Sequence, residues 1–307
     1  MPGELDAGAF AFVMATGIVS IAASVQGLPI FSDALLALAC AGWIVLAAAT
    51  SWRMLASQRR RPRLQSFALV AATAVVGARF ALAGERELAL ALWCLALLLW
   101  LGLLVRRPTI AEPVGGSLLT VVAIESLALL AALLAPHWTT ALLFVAVVAW
   151  ALGLVLYPLL TGAISLALYR RTRFAPDLWI VMGALAVATL AGTELLLGTR
   201  ALPTLHQLKR VLPDIDLVTW SLASALIVPL LAAELRERGG WRYEASRWSF
   251  VFPLGMYAVA SQALGDADKL PPLSGIGRAF FAIAAVAWAL ALLGLARHGL
   301  APIRRRI

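Results

Sequence analysis

The sequence predicts an all-α integral membrane protein whose ten transmembrane helices form five helical hairpins. Three observations carry this prediction. Of the 307 residues, 62% are hydrophobic and 13% charged, and the mean hydropathy is +0.91. The apolar residues come in continuous runs of about 20, the length at which a helix crosses a hydrocarbon core of roughly 30 Å. Between the runs, arginines recur with alternating density, the pattern of cytoplasmic anchors.

A surface this apolar is solvated by lipid and not by water. In lipid the backbone must satisfy its own hydrogen bonds, which leaves helices or closed barrels. Barrel strands would be shorter and would alternate apolar with polar residues. The net charge of +9 does not indicate nucleic acid, because the basic residues sit in short clusters between apolar runs. Cys40 and Cys94 lie inside such runs and set up neither a disulfide framework nor a metal spacing. The leader Met1 to Asp6 is acidic, against the basic start of a cleaved signal peptide. The chain reads as one membrane domain, residues 1–307. Its spans are expected near residues 7–27, 33–55, 64–83, 86–105, 115–135, 138–168, 176–197, 214–236, 247–265 and 275–298, and a bend is expected at Pro158 in the long sixth run.

The loops fall into two sets. One holds Arg53, Arg59, Arg60, Arg61, Arg63, Arg106, Arg107, Arg170, Arg171, Arg173, Arg236, Arg238, Arg242, Arg247, Arg297 and Arg304 to Arg306. The other holds Arg86, Arg200, Lys209, Arg210 and Lys269. The excess alternates with each crossing, so both termini are expected in the cytoplasm and the protein in the inner (plasma) membrane.

Odd and even spans differ. Spans two, four and ten are rich in Leu, Ala and Trp and nearly free of polar atoms, as lipid-facing helices are. Odd spans carry small and polar residues four apart, and so on one helix face. These are Thr16, Ser20 and Ser24 in span one, Thr189 and Thr193 in span seven, and Ser249, Pro253, Tyr257 and Ser261 in span nine. The contrast predicts an inner ring of odd spans lining a pore and an outer ring of even spans. Thr16, Gly17, Ser20, Thr193, Ser249, Met256 and Tyr257 are the expected pore-lining residues. The other reading of such stripes is that small residues let helices pack closely.

Ionisable residues inside spans are costly, roughly 2.5–3.5 kcal/mol each at the membrane centre. Glu125 falls mid-span, where it needs a watery path or a buried partner. Arg79 and Glu194 fall near the outer ends of spans three and seven, at depths that allow an ion pair. His137, His206 and His298 are widely separated, so no metal or haem is expected, nor any other cofactor. No catalytic cluster is visible, and an enzyme is not expected. In span nine, Pro253 removes a backbone hydrogen bond and should bend the helix beside Phe252. An aromatic ring at such a bend can plug a narrow lumen, since apolar constrictions exclude water; it can also be an ordinary packed ring.

Two segments resemble a known family. Phe10 to Ser20, FAFVMATGIVS, is similar to the first-span signature of the tellurite-resistance/C4-dicarboxylate transporter family, with Ala15 where the usual MGTGI has glycine. Trp248 to Tyr257, WSFVFPLGMY, is similar to its ninth-span motif. The family includes yeast malate permeases, fungal sulfite efflux pumps and plant slow anion channels. The resemblance implies a homotrimer, each protomer with its own pore within five hairpins in quasi-fivefold array, and a pore-occluding phenylalanine at Phe252 next to Pro253. It also implies a channel or secondary carrier for small anions, dicarboxylates such as malate first. The alternative is a proton-coupled exporter of sulfite, nitrate or tellurite-related anions using Glu125.

The arginine alternation yields a topology test. With Cys40 and Cys94 replaced, Pro29→Cys and Gly275→Cys should react with a membrane-impermeant thiol reagent added to intact cells, and Pro62→Cys should not. Labelling of Pro62→Cys from outside would break the orientation.

Overall fold

The computed structural model describes residues 7–56, 66–106, 108, 114–168, 176–201, 207–236 and 247–304. Pro62, His206 and most of the arginine anchors lie outside these residues. Ten α-helices occupy the described chain: α1 (Ala7–Val25), α2 (Pro29–Ala56), α3 (Phe67–Leu82), α4 (Arg86–Val105), α5 (Leu119–Leu134), α6 (Thr140–Leu168), α7 (Trp179–Ala201), α8 (Leu208–Arg236), α9 (Trp248–Ala267) and α10 (Pro271–Arg304). A 3-10 turn, Val114–Leu118, leads into α5. Pro158 and Pro253 both lie inside continuous helices.

Consecutive helices pair as five hairpins, and the odd helices close into a ring: α1 packs on α3, α3 on α5, α5 on α7, α7 on α9, and α9 back on α1. Each even helix packs on its hairpin partner and, less extensively, on the next odd helix, α10 reaching α1. Burial follows this division. In the apolar stretches of α5 and α7, 89% of residues are buried, against 17% in those of α2, α8 and α10. Ile30, Val45, Val148 and Val228 are among the exposed outer-ring side chains. Such faces suit lipid.

Among the described residues seven helices are long and apolar enough to cross a membrane: α2, α4, α5, α6, α7, α8 and α10. The other three, α1, α3 and α9, are shorter or more polar, and all belong to the inner ring. The ring explains this. A helix walled by other helices need not match lipid in hydropathy, and polar side chains there find protein partners. Together these features make the chain an all-α, multi-pass membrane protein.

Glycine sets the closeness of the inner ring. A Cβ on Gly17 would press on Val75 of α3 at 2.8 Å, one on Gly183 of α7 on the Pro253 ring at 2.9 Å, and one on Gly255 on Ile18 of α1 at 2.8 Å. At the hairpin turns, Gly27, Gly84 and Lys269 adopt the left-handed backbone that ends a helix sharply.

The tryptophans of the even helices hold the rings together. Trp43 of α2 donates its indole N–H to Thr73 of α3 (2.9 Å), and Trp93 of α4 donates to the Leu127 carbonyl of α5 (3.1 Å). Trp150 of α6 donates to the Ala188 carbonyl of α7 (2.9 Å), and Trp220 of α8 to Ser261 of α9 (2.8 Å). Trp288 of α10 donates to Thr16 of α1 (3.1 Å), closing the circle. Every outer helix therefore carries one indole bonded to the next inner helix. The sequence reading left Trp150 and Trp220 unassigned and counted Trp43, Trp93 and Trp288 among the residues of lipid-facing spans. They instead reach inward, because lipid offers an indole N–H no acceptor and a neighbouring helix does.

Substituting phenylalanine at Trp43, Trp93, Trp150, Trp220 or Trp288 should lower stability by about 0.6 kcal/mol on average and no more than about 1.7 kcal/mol, the range for interhelical hydrogen bonds in membranes. Thermal unfolding in detergent reads this directly. Trp100 is the control, since its indole nitrogen is buried without a partner among the described residues. Trp100→Phe should cost nothing, and an equal loss there would remove the hydrogen bonds from the explanation.

Candidate functional site

The C-terminal ends of the five inner helices surround a cavity of about 330 Å³. Every inner helix contributes: Ile21 and Val25 from α1, Ala78 from α3, Leu129 and Leu133 from α5, Glu194 from α7, and Val259, Ala263 and Asp266 from α9. Val25, Leu82 and Asp266 are exposed at its rim. The walls are mainly aliphatic, and Glu194, Gln262 and Asp266 supply the polar atoms. Asp266 is fixed by Gln262 (2.9 Å) and Ser274 (2.9 Å), and Gln262 in turn accepts from Gln26 in the turn after α1 (3.3 Å). Among the described residues no Lys, Arg or His lines the cavity.

Helical periodicity extends the lining stripes below the cavity floor. On α9, Phe252 and Met256 precede Val259 and Ala263 by seven residues each and share their face. Phe252 is 2% exposed and Met256 fully enclosed. Phe252 lies about 10 Å deeper than Val259 along the helix. On α1 the same repeat leads from Ile21 to Met14, which is 1% exposed. Below the cavity floor these faces of α1 and α9 are thus buried. Phe250 points elsewhere: its ring meets Trp179 of α7 edge-on at 4.7 Å. Pro253 lies against Gly183, so this proline seats α9 on α7. Ser249 is half-buried at the start of α9.

Several residues expected on the lumen turn away from it. The Thr16 hydroxyl takes the Trp288 indole N–H. Ser20 donates to the Ser32 carbonyl of α2 (2.7 Å), and Ser32 donates to the Ser20 carbonyl in return (2.7 Å). Thr193 donates to the Thr189 carbonyl (3.0 Å) and lies 3.4 Å from Asp216 of α8. The Tyr257 hydroxyl bonds Ser224 of α8 (2.7 Å), and its ring stacks on Trp220. Gly17 faces α3. The polar stripes of odd spans thus mostly bind the two rings together. The reason is energetic: a hydroxyl in a membrane finds its steadiest partner on a neighbouring helix or on its own preceding turn.

The intramembrane charges separate as well. Arg79 does not meet Glu194. It forms an ion pair with Asp33 of α2 (2.8 Å) and donates to Ser32 (2.9 Å), locking α1, α2 and α3 at one end. Glu194 is left facing the cavity. Glu125 is fully buried on the side of α5 turned to α6, where a Cβ on Gly153 would collide with its carboxylate. Neither of its oxygens has a hydrogen-bond partner among the described residues.

Sequence reading does not single out Asp216, which falls at the very start of the span expected at 214–236. The helix starts at Leu208, and Asp216 is fully buried in its third turn against Gly192 of α7. A span begun at 214 puts this acid at the membrane edge, where a carboxylate attracts no notice. Gln262 and Asp266 sit at the end of the ninth span, where polar residues attract no notice.

Comparison with known proteins agrees with this architecture. The family model described as voltage-dependent anion channel, SLAC1, matches residues 4–296. An uncharacterized membrane protein of Mycobacterium tuberculosis, found in strains CDC 1551 / Oshkosh and ATCC 25618 / H37Rv, is 34% identical over 156 residues, covering 50% of this chain and 74% of the relative. A ring of five inner helices with an axial cavity, and a family match over nearly the whole chain, place this protein in the SLAC1 voltage-dependent anion channel family.

Proposed function

We propose that the protein conducts small anions along the axis of the inner ring and that Phe252 is the gate. The family supports membrane anion transport as the role. The observation that carries the gate is the position of Phe252. It lies on the α9 face whose next turns line the cavity, and it is buried below the cavity floor. An apolar ring there blocks an ion by bulk and by the cost of stripping its water. Dicarboxylates such as malate are the first substrate class to test, with sulfite, nitrate and chloride beside them. The working assembly is a homotrimer in the inner membrane with cytoplasmic termini, each protomer holding its own pore. Coupled export through Glu125 fits the geometry less well, since that carboxylate faces α6 and not the axis.

Phe252→Ala in proteoliposomes should raise anion flux at least about tenfold, equivalent to about 1.4 kcal/mol off the barrier. Phe252→Leu should raise it less. A Phe serving only to fill a core would behave differently: truncation would cost about 3–5 kcal/mol of stability without opening a path. Phe250→Ala tests position, since that ring rests on Trp179, and it should leave flux unchanged. A well-folded Phe252→Ala protein no more conductive than the parent rejects the gate.

A further inference from the structure

Most hydroxyls buried in the inner ring have partners; on α5 those of Thr120, at its first turn, and Ser126 have none among the described residues. Thr73, Thr189 and Thr193 each donate to the carbonyl four residues earlier, and Ser20 is paired with Ser32. Ser126 is 1% exposed and sits mid-helix, yet its Oγ has no hydrogen-bond partner among the described residues. Leaving such a group unpaired is unfavourable. Its position gives the group a use. Ser126 precedes Leu129 by three residues and Leu133 by seven, so it shares the α5 face that lines the cavity. It lies about 4.5 Å deeper than Leu129, and Phe252 about 10 Å deeper than Val259. The hydroxyl therefore stands between the cavity floor and the Phe252 ring.

We infer that Ser126 is a specificity-determining residue whose hydroxyl donates to the permeating anion just before the phenylalanine. This rests on the axial path proposed above. A serine hydroxyl is a donor that an anion can accept from. A hydrogen bond to an ion is stronger than one between neutral groups. Being uncharged, the hydroxyl does not hold the ion so tightly that it cannot leave, which conduction requires. The cavity walls above it are aliphatic, and the acids near it are Glu194 and Asp266 in the cavity and Glu125, turned to α6, so a neutral donor is the group on this stretch that favours an anion.

The test uses two readouts on the purified full-length protein. The first is thermal stability in detergent titrated with sodium chloride, nitrate or malate, with gluconate as the bulky reference. The parent should gain stability with at least one small anion. Ser126→Ala should match or exceed the parent without anion, because an unpaired buried hydroxyl is gone, and should bind that anion roughly tenfold or more weakly. Ser126→Thr keeps the hydroxyl and should restore binding. The second readout is flux in the Phe252→Ala background, where Ser126→Ala should reduce the preference among these anions. The inference is overturned if no small anion stabilises the parent more than gluconate does. It is equally overturned if Ser126→Ala loses stability without anion, or if it leaves affinity unchanged. A Phe252→Ala protein that conducts with the same anion preference with and without Ser126 leaves the gate standing and removes the serine. A Phe252→Ala protein that does not conduct removes the gate, and the titration alone then decides the serine.

Discussion

One indole hydrogen bond, repeated around a circle, organises this molecule. In water, helices associate because association hides apolar surface. Lipid is as apolar as leucine, so that force is missing between helices in a membrane, and packing and hydrogen bonds must serve. Each outer helix meets this constraint in the same way, with a tryptophan whose ring presents apolar area and whose N–H reaches the next inner helix. Trp93, Trp150 and Trp288 are largely buried in doing so. The acceptor differs between sites, a hydroxyl at Thr73, Ser261 and Thr16 and a backbone carbonyl at Leu127 and Ala188. What repeats is the geometry of the hairpin and not the chemistry of the partner.

That arrangement leaves the inner ring free to be unlike a membrane helix bundle. Because the outer helices meet the lipid, α9 can carry Ser249, Tyr257, Ser261, Gln262 and Asp266 within 20 residues. Glycine at Gly17, Gly183 and Gly255 lets the inner helices approach closely. At one end the ring widens into the cavity, and there the polar groups are carboxylates and an amide. Among the described residues no fixed positive charge lines this mouth, so the proposed passage of an anion rests on neutral donors and on the dehydration cost at the axis.

Much of this was legible in the sequence, and the illegible part has a single cause. Apolar run length and arginine alternation give the helices and the hairpins, because both report on lipid directly. Spacing of four gives stripes such as Thr16 and Ser20, or Thr189 and Thr193. Periodicity says which residues share a face, however, and not which neighbour that face meets. A helix in the inner ring touches two inner neighbours, its outer partner and the lumen. Rotation about its own axis decides among them, and no local pattern fixes that rotation. Hence the hydroxyls of Thr16, Ser20, Thr193 and Tyr257 read as lumenal and prove to bind the outer ring, whereas Met256 and Phe252, which the sequence does single out, share the α9 face that continues to the cavity, and Ser126 draws no notice. Asp216 was hidden for a different reason. The span expected at 214–236 puts this acid at its edge, and only the structure shows that the helix began two turns earlier.

The closing bond of the circle also bears on how the molecule is made. Trp288 and Thr16 are 272 residues apart in the chain, and α1 must wait for both α9 and α10 before its last neighbours exist. Until then the growing bundle is an open arc with α1 at one unpaired edge, its Gly17, Ser20 and Ile18 in place but one side uncovered. Contacts of such long sequence separation form late, since a long loop must close before they return any energy. Helices far apart in the sequence, α1 with α9 and α10, are thus the ones that close the ring.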